Sequence, residues 1–222
     1  MKQQLSCVVA AMALLATVDA GATTLNYYLD QNNSTLTGGP WATVTLSDDA
    51  DDGRVHFTVD LLKAGYDSVG PNFGLQDFYF NENTGDPNFA KDFIVQFSSP
   101  TTWTNQYSPT SDLGGVGPYG KFELSDDGTG NDRTTHLDFY LRSLAGALSA
   151  EEFAVTSPST TYMFAGHIGG FSDVGSDGLT YDSAQFASSG MPVAPIPEPG
   201  TMTLLGAGFF ALAVRSKRRK PA

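Results

Sequence analysis

Clusters of aspartate are the first feature of this sequence that could do chemistry. Two short segments each place several carboxylates within a few residues, and oxygen atoms of this kind are the ligands that Ca²⁺ prefers. The candidate ligands are Asp48, Asp49, Asp51 and Asp52 in the first segment and Asp126, Asp127, Asn131 and Asp132 in the second. Neither segment has the spacing of an EF-hand loop, which needs a Glu at its last position. A solvated hairpin turn stays open as the alternative for both, because turns also favour Asp and Gly.

Other residue types that carry chemistry give weaker signals. His56, His136 and His167 each stand alone, without a second histidine at metal-ligand spacing. Residues 173–178 form a third, weaker calcium candidate. Ser and Asp are abundant, but the Gly-x-Ser-x-Gly elbow of α/β-hydrolases is absent from the sequence. The sequence therefore predicts no catalytic residue.

Two alternatives involve carbohydrate. Aromatic rings can stack on sugars, although core packing is their more common role. The aromatic candidates are Trp41, Trp103, Tyr107 and Tyr119. Paired carboxylates can hydrolyse glycosidic bonds, and Glu123 and Asp138 are candidates without a distinguishing context. A carbohydrate-binding module and a polysaccharide-active enzyme are therefore kept as alternative functions.

The elements that must position these residues are short strands. β-Branched and aromatic runs recur between clusters of turn residues, and long helical periodicity is absent. Strands are predicted at residues 25–29, 41–46, 54–62, 75–81, 93–97, 119–124, 136–141, 162–168 and 179–186, with loops at 65–74 and 101–118 and a helical turn at 150–153. Each acidic segment is expected to join an antiparallel hairpin. The pattern predicts an all-β fold, a single β-sandwich resembling a jelly roll.

The predicted body of the protein is strongly acidic. Residues 23–197 contain 6 Lys or Arg and 22 Asp or Glu, a formal charge of 6 − 22 = −16. This charge disfavours nucleic acid and anionic lipid as partners, and it is compatible with divalent cations and neutral polysaccharide. The only cysteine is Cys7, so the rest of the chain has no disulfide and no cysteine nucleophile.

The N-terminus has the pattern of a secretory signal peptide. Lys2 precedes an apolar run over residues 5–18, and small residues follow at the positions that signal peptidase reads. These cleavage-site residues are Val18, Ala20 and Ala22. An N-terminal membrane anchor is the alternative, but the run is short and ends in residues that suit cleavage.

The C-terminus combines three features in a fixed order. Pro197, Glu198 and Pro199 come first, and the two prolines favour an extended backbone. Residues 201–214 are apolar and would form a helix of roughly 21 Å, which is short for a membrane span. A basic cluster closes the chain and is expected to stay in the cytoplasm. Its members are Arg215, Lys217, Arg218, Arg219 and Lys220. An ordinary membrane anchor is the alternative for this segment.

This order resembles the PEP-CTERM sorting signal of exported bacterial proteins. The resemblance implies that an exosortase, a membrane-embedded enzyme, recognises Pro197, Glu198 and Pro199 and cleaves there. It implies release of the body or its transfer to the cell surface, often alongside exopolysaccharide. Ile196 stands where Val is common in the family. The strands of the body also resemble the sandwich of many PEP-CTERM proteins, which implies a fold and no activity.

We therefore predict four segments in the chain. They are a signal peptide (1–22), a β-sandwich domain (23–187), a linker (188–195) and a sorting signal with a short transmembrane helix (196–222). The predicted protein is exported, held transiently in the inner membrane, and then placed at the cell surface or in the extracellular matrix. It is expected to be non-enzymatic, with signal peptidase and exosortase as processing partners. Exopolysaccharide is a candidate partner and Ca²⁺ a candidate ligand.

Overall fold

The structure, a computed structural model, describes residues 23–49, 52–110, 113, 116–128, 130–156, 158–188 and 190. The predicted signal peptide and sorting signal lie outside the described residues. Residues 188 and 190 are the described part of the predicted linker. The fold is therefore that of the acidic body.

Antiparallel β-strands make up most of the described chain. They are β1 (Thr24–Asn32), β2 (Ala42–Asp49), β3 (Arg54–Leu61), β4 (Val69–Phe80), β5 (Phe93–Ser99), β6 (Thr104–Tyr107), β7 (Leu124–Asp127), β8 (His136–Ser143), β9 (Phe164–Val174) and β10 (Thr180–Ser188). One short helix, α1 (Phe89–Asp92), and 3₁₀ turns at Lys63–Gly65, Gly117–Tyr119 and Ala150–Glu152 connect them. The prediction of an all-β fold is confirmed.

The ten strands form one hydrogen-bonded sheet in the order β5-β8-β3-β2-β1-β10-β9-β4-β7-β6. A sandwich of two separate sheets was expected. Instead, β1 pairs with both β2 and β10 and joins the two halves of the sheet. The sheet curls until the halves face each other, so that Phe57 of β3 and Phe80 of β4 have ring centres 5.0 Å apart. The result is a nearly closed, barrel-like sheet.

Alternation along each strand decides which side chains enter the core. In β3, Val55, Phe57 and Val59 are fully buried, and the residues between them are partly exposed. Aromatic rings dominate the interior, and Phe57 stacks on Phe139 of β8 at 4.7 Å. Each buried ring of this size contributes about 1.5–3 kcal/mol to the free energy of unfolding. Because cysteine is absent after Cys7, these apolar contacts have to hold the body together without disulfides.

The two edge strands, β5 and β6, approach each other across the remaining gap. Phe93 of β5 and Tyr107 of β6 have ring centres 5.5 Å apart. Phe89 of α1 is 1% exposed, stacks on Phe93 at 5.0 Å and meets Tyr107 edge-on at 5.4 Å. The short helix α1 therefore covers the opening of the sheet with one ring.

Two local predictions are confirmed. β2 and β3 form an antiparallel hairpin through the first acidic segment, with Asp49 opposite Arg54. The helical turn is present at Ala150–Glu152, where Ser149 and Glu152 form a capping box. Both features depend on residues that are close in sequence.

The second predicted hairpin is wrong. β8 pairs with β3 and β5, whereas β7 pairs with β4 and β6, so the two strands are not partners. Asp126 and Asp127 consequently lie in β7 itself rather than in a turn. The alternating pattern identifies a strand but does not identify its partner, which here is distant in sequence.

Strand boundaries also differ from the predictions. β6 lies in the segment that was expected to be a loop, and β4 already begins at Val69. β9 continues to Val174, so His167 lies inside a strand and not at its end. Polar and glycine-rich sequences form these extra pairs because neighbouring strands supply the hydrogen bonds.

Candidate functional site

An arginine holds the carboxylates of the first acidic turn. Arg54 opens β3, and its Nη2 atom lies 2.6 Å from Asp49 Oδ2 and 2.8 Å from Asp52 Oδ2. The guanidinium carbon also lies 4.4 Å from the centre of the Tyr140 ring. A fixed positive charge therefore already pairs with two of the four candidate Ca²⁺ ligands, Asp49 and Asp52. Asp51 lies outside the described residues.

Asp48 connects separate parts of the fold. Its Oδ1 atom accepts a hydrogen bond from Ala150 N at 2.7 Å, and its Oδ2 atom accepts one from Thr23 N at 3.2 Å. Hydrogen bonds from backbone N–H groups satisfy both carboxylate oxygens. The position of Asp48 thus has a structural explanation that needs no metal ion.

Asp126 of β7 is fully buried, at 0% exposure. Asn105 of β6 lies opposite it and donates a hydrogen bond from Nδ2 to Asp126 Oδ1 at 2.6 Å. Asp126 Oδ2 and Asn105 Oδ1 have no hydrogen-bond partner among the described residues. Burial raises the pKa of the Asp126 carboxyl to about 8, and the Asn105 hydrogen bond offsets only part of this rise. Calcium prefers ionised carboxylates at accessible positions, so this environment is unfavourable for the predicted ligand role.

The other predicted calcium ligands are spread over several elements. Asp127 lies opposite Asp77 of β4. The backbone carbonyl of Asp132 accepts a hydrogen bond from Trp103 Nε1 at 2.8 Å. Asn131 is exposed in the loop that follows β7. The second acidic segment is thus divided between a strand and a loop.

The carboxylates of the third acidic stretch, residues 173–178, accept hydrogen bonds from the backbone around them. Asp173 Oδ1 accepts hydrogen bonds from Asp67 N at 2.8 Å and Ser68 N at 3.2 Å. Asp177 accepts hydrogen bonds from Leu179 N at 3.0 Å and Tyr181 Oη at 2.7 Å, and these bonds lower the pKa of its carboxyl. Across the described ranges, no three His, Cys, Asp or Glu side chains are grouped as ligands for a metal ion.

Strand pairing brings two of the three histidines together on the outer face of the sheet. His56 Nε2 of β3 lies 3.0 Å from Asp138 Oδ2 of β8, and His136 Nε2 lies 3.8 Å from the same oxygen. His136 Nδ1 lies 2.6 Å from Asp60 Oδ1. The His56 ring also stacks on Tyr140 at 4.3 Å. His56, Asp138, His136 and Asp60 form a polar ladder across β3 and β8.

The sequence pattern does not predict this ladder. His56 and His136 are 80 positions apart, and they become neighbours only because β3 pairs with β8. His56 alternates with the buried Val55 and Phe57 and lies on the partly exposed side of β3. A correct strand pairing would have been the signal that reveals the cluster.

His167 lies elsewhere on the sheet, on the outer face of β9. Its Nδ1 atom lies 3.5 Å from Asp77 Oδ2 of β4. With Asn33, Tyr181 and Gln185 it lines an open polar pocket of about 310 Å³. The sequence does not predict this pocket, because its residues come from β9, β10 and the segment after β1.

The aromatic candidates for sugar stacking are largely part of the core. Trp41, Trp103 and Tyr119 are between 2% and 4% exposed, and Tyr107 is partly buried against α1. The rings of Trp41 and Trp103 therefore leave almost no surface for a sugar. The carboxylates Glu123 and Asp138 contact different partners, since Glu123 Oε2 accepts a hydrogen bond from Glu82 N at 3.0 Å and Asp138 faces His56.

The residues predicted to direct sorting lie outside the described part of the chain. They include the tripeptide at 197–199, the cleavage residues Val18, Ala20 and Ala22, and the basic cluster at 215–220. Within the described residues, the helices are too short or too polar to cross a membrane.

Comparison with known proteins identifies one segment. Residues 195–219 match the family described as the PEP-CTERM protein-sorting motif. This match contains the tripeptide, the apolar run and most of the basic cluster, and it confirms the resemblance found in the sequence. No curated protein and no solved structure matches the chain. A PEP-CTERM motif marks an exported protein that an exosortase sorts.

Proposed function

We propose that this chain is a non-enzymatic protein of the cell surface or extracellular matrix, delivered there by exosortase processing at Pro197, Glu198 and Pro199. The observation that carries the proposal is the sorting motif at residues 195–219. The acidic β-domain is the cargo, and residues 188–195 link it to the motif. Signal peptidase acts first, at the small residues before position 23.

The order of features in the tail supports transient retention in the inner membrane. The apolar run of residues 201–214 is uncharged, and the basic cluster after it resists transfer across the bilayer. The tripeptide precedes the apolar run and would therefore face the outer side of the membrane. This placement makes it accessible to a membrane-embedded protease while the body is already outside.

The chemistry of the body supports a role without catalysis. Several of its carboxylates are engaged in holding the fold, as in the hydrogen bonds to Asp48 and Asp173 and the ion pairs of Arg54. A polysaccharide-active enzyme is the competing function. Turnover of a matrix polysaccharide that is lost in Glu123→Gln or Asp138→Asn would favour that competitor.

The sorting proposal is tested by mass spectrometry of the protein recovered from the surface of the producing cells. We expect the mature chain to begin after residue 22 and to end near the tripeptide. Glu198→Ala should leave the protein in the membrane with its basic end intact, and loss of the exosortase should have the same effect. Pro192→Ala lies outside the motif and serves as the matched control. Surface protein that retains Arg215 and the residues after it would overturn the proposal.

A further inference from the structure

A polar pocket opens on the outer face of β9 and β10, beside the segment that follows β1. Its volume is about 310 Å³, and its polar lining consists of Asn33, Ser34, His167, Tyr181, Ser183 and Gln185. Ligand pockets in proteins begin at roughly this size, so the space suits a small ligand or one or two units of a chain.

Paired strands form the base of the pocket. Gln185 of β10 lies directly opposite His167 of β9, and Ser183 lies opposite Gly169. The backbone N–H of Asn33 donates to the carbonyl of Gln185 at 3.1 Å and fixes the adjoining segment to β10. Side chains on a hydrogen-bonded sheet keep their relative positions better than side chains on loops.

Neighbouring groups hold the lining side chains in place. Asn33 Nδ2 donates to Gln185 Oε1 at 2.9 Å, and Asn33 Oδ1 accepts from Gln185 N at 2.9 Å. Tyr181 Oη donates to Asp177 Oδ2 at 2.7 Å. Asp77 lies beside His167 Nδ1, which leaves Nε2 as the imidazole atom for a ligand. A ligand would therefore meet side chains whose rotamers are already restricted, and binding would cost less entropy.

The lining chemistry discriminates between classes of ligand. Lys and Arg are absent from its lining, and the Arg133 guanidinium beside Gly169 is held by Gln76 Oε1 at 3.0 Å. Asp77 and Asp177 stand just behind His167 and Tyr181, so two carboxylates outweigh this cation and disfavour an anion. Ala184 supplies the apolar part of the lining, which is too little for a hydrophobic peptide. Amide, hydroxyl and imidazole groups can both donate and accept hydrogen bonds. That combination matches the hydroxyl groups of a neutral sugar.

We propose that this pocket binds one or two units of a neutral carbohydrate. His167 Nε2 and the Ser183 hydroxyl contact sugar hydroxyls, and the Tyr181 ring forms one wall. The Ser34 hydroxyl donates to Asn32 Oδ1 at 2.7 Å, so it serves the sugar as an acceptor. This site differs from the aromatic residues that the sequence singled out for stacking. The inference goes beyond the sorting function and does not depend on it, because it concerns the body alone.

The test uses the full-length chain, purified in detergent, and a panel of neutral oligosaccharides built from glucose, mannose and galactose. Uronic acid oligosaccharides of the same length form the comparison set. We expect binding to at least one neutral member and weaker binding to its acidic counterpart. His167→Ala should weaken the binding about tenfold or more, as measured by calorimetry. His136→Ala, on β8, should leave it unchanged.

A second measurement needs no variant, so it holds even if His167→Ala fails to fold. In the unsubstituted chain, the imidazole NMR signals of His167 should shift as the bound oligosaccharide is added, while those of His136 stay in place. Binding to no neutral member at the solubility limit, or binding that shifts His136 and leaves His167 unmoved, would overturn the proposal. A preference for the acidic set would also overturn it. Processing of the tail is measured separately, by mass spectrometry, so absence of sugar binding leaves the sorting proposal unchanged.

Discussion

The rings of Phe93 and Tyr107 lie 5.5 Å apart, although their strands stand at opposite ends of the sheet order. Phe89 contacts both rings and also lies 6.1 Å from Phe153 in the core. One residue of α1 thus connects the two edges of the sheet with its interior.

Replacing this ring should open the sheet at its edges. Phe89→Ala is expected to lower the free energy of unfolding by about 3–5 kcal/mol, because it removes a fully buried ring and leaves a cavity. Denaturant unfolding followed by tryptophan fluorescence measures the change. Leu144→Ala, at a side chain that is 66% exposed, is the control and should change stability little. Equal losses for the two variants would show that Phe89 does not close the sheet.

The buried Asp126 carboxyl should make the free energy of unfolding fall as pH rises. Its pKa is raised by burial to about 8 in the folded chain, against an ordinary value of 3.8. Between these values the folded chain keeps a proton that the unfolded chain has lost, so the free energy of unfolding falls as pH rises. The slope from this one proton is about −1.4 kcal/mol per pH unit and levels off above pH 8.

Asp126→Asn should remove this slope, since the amide stays neutral at every pH. The amide of the new side chain can also donate a hydrogen bond to Asn105 Oδ1, which has no partner among the described residues. Unfolding titrations from pH 4 to pH 9 measure the difference between the two chains. Asp127→Asn, one position along β7, should keep the slope. A slope that survives in Asp126→Asn would assign the effect to another group.

Substituting two glycines allows the cost of a positive φ to be measured apart from the cost of a steric overlap. Gly170 and Gly178 both have positive φ, at 79° and 78°, but a Cβ at Gly170 would overlap the carbonyl oxygen of Asn72 whereas one at Gly178 would meet open space. Gly178→Ala should cost about 1 kcal/mol of stability, from the backbone alone. Gly170→Ala should cost roughly 2–4 kcal/mol, because β9 must also move away from β4. Thermal unfolding of both variants checks this, and similar losses would contradict the overlap.

Arg54 predicts how the first acidic turn responds to calcium. With its guanidinium beside Asp49 and Asp52, the unsubstituted chain should melt at the same temperature in Ca²⁺ and in chelator. Arg54→Gln leaves these carboxylates without that charge, so it should melt at a lower temperature and regain part of the loss when Ca²⁺ is added. Arg142→Gln, on β8, is the matched control. A calcium-dependent melting temperature in the unsubstituted chain would restore the turn as a metal site.

Local sequence patterns predicted much of the secondary structure. The β2–β3 hairpin follows from two strands that are neighbours in the chain, and the capped turn at Ala150–Glu152 follows from Ser149 and Glu152, three positions apart. The partners of β7 and β8 do not, because β8 pairs with a strand about 80 residues earlier and nothing in an alternating pattern encodes that choice. β6 was missed because its sequence, Thr-Asn-Gln-Tyr, is polar and its pairing comes from β7.

Whether a site could be predicted also depended on whether its residues are close together in the sequence. The sorting motif was predictable because its parts are contiguous and act as a linear signal. The Asp-rich segments were candidate metal ligands on composition, with a solvated turn as the alternative. In the structure Arg54 pairs with Asp49, a backbone N–H group binds Asp48, and burial raises the pKa of Asp126. The pocket at His167 combines residues from three parts of the chain and could be found only from the fold.

The pairing of β1 with β10 has a consequence for the order of assembly during export. Leu29 pairs with Ser188, so under the proposed route of export β1 would have to wait for β10 before the middle of the sheet could close. Pro197 follows Ser188 by nine positions in the sequence. On that proposed route, the body would complete its sheet only when the sorting segment reaches the bilayer. Early release of the chain would free an incomplete sheet with exposed strand edges that invite aggregation.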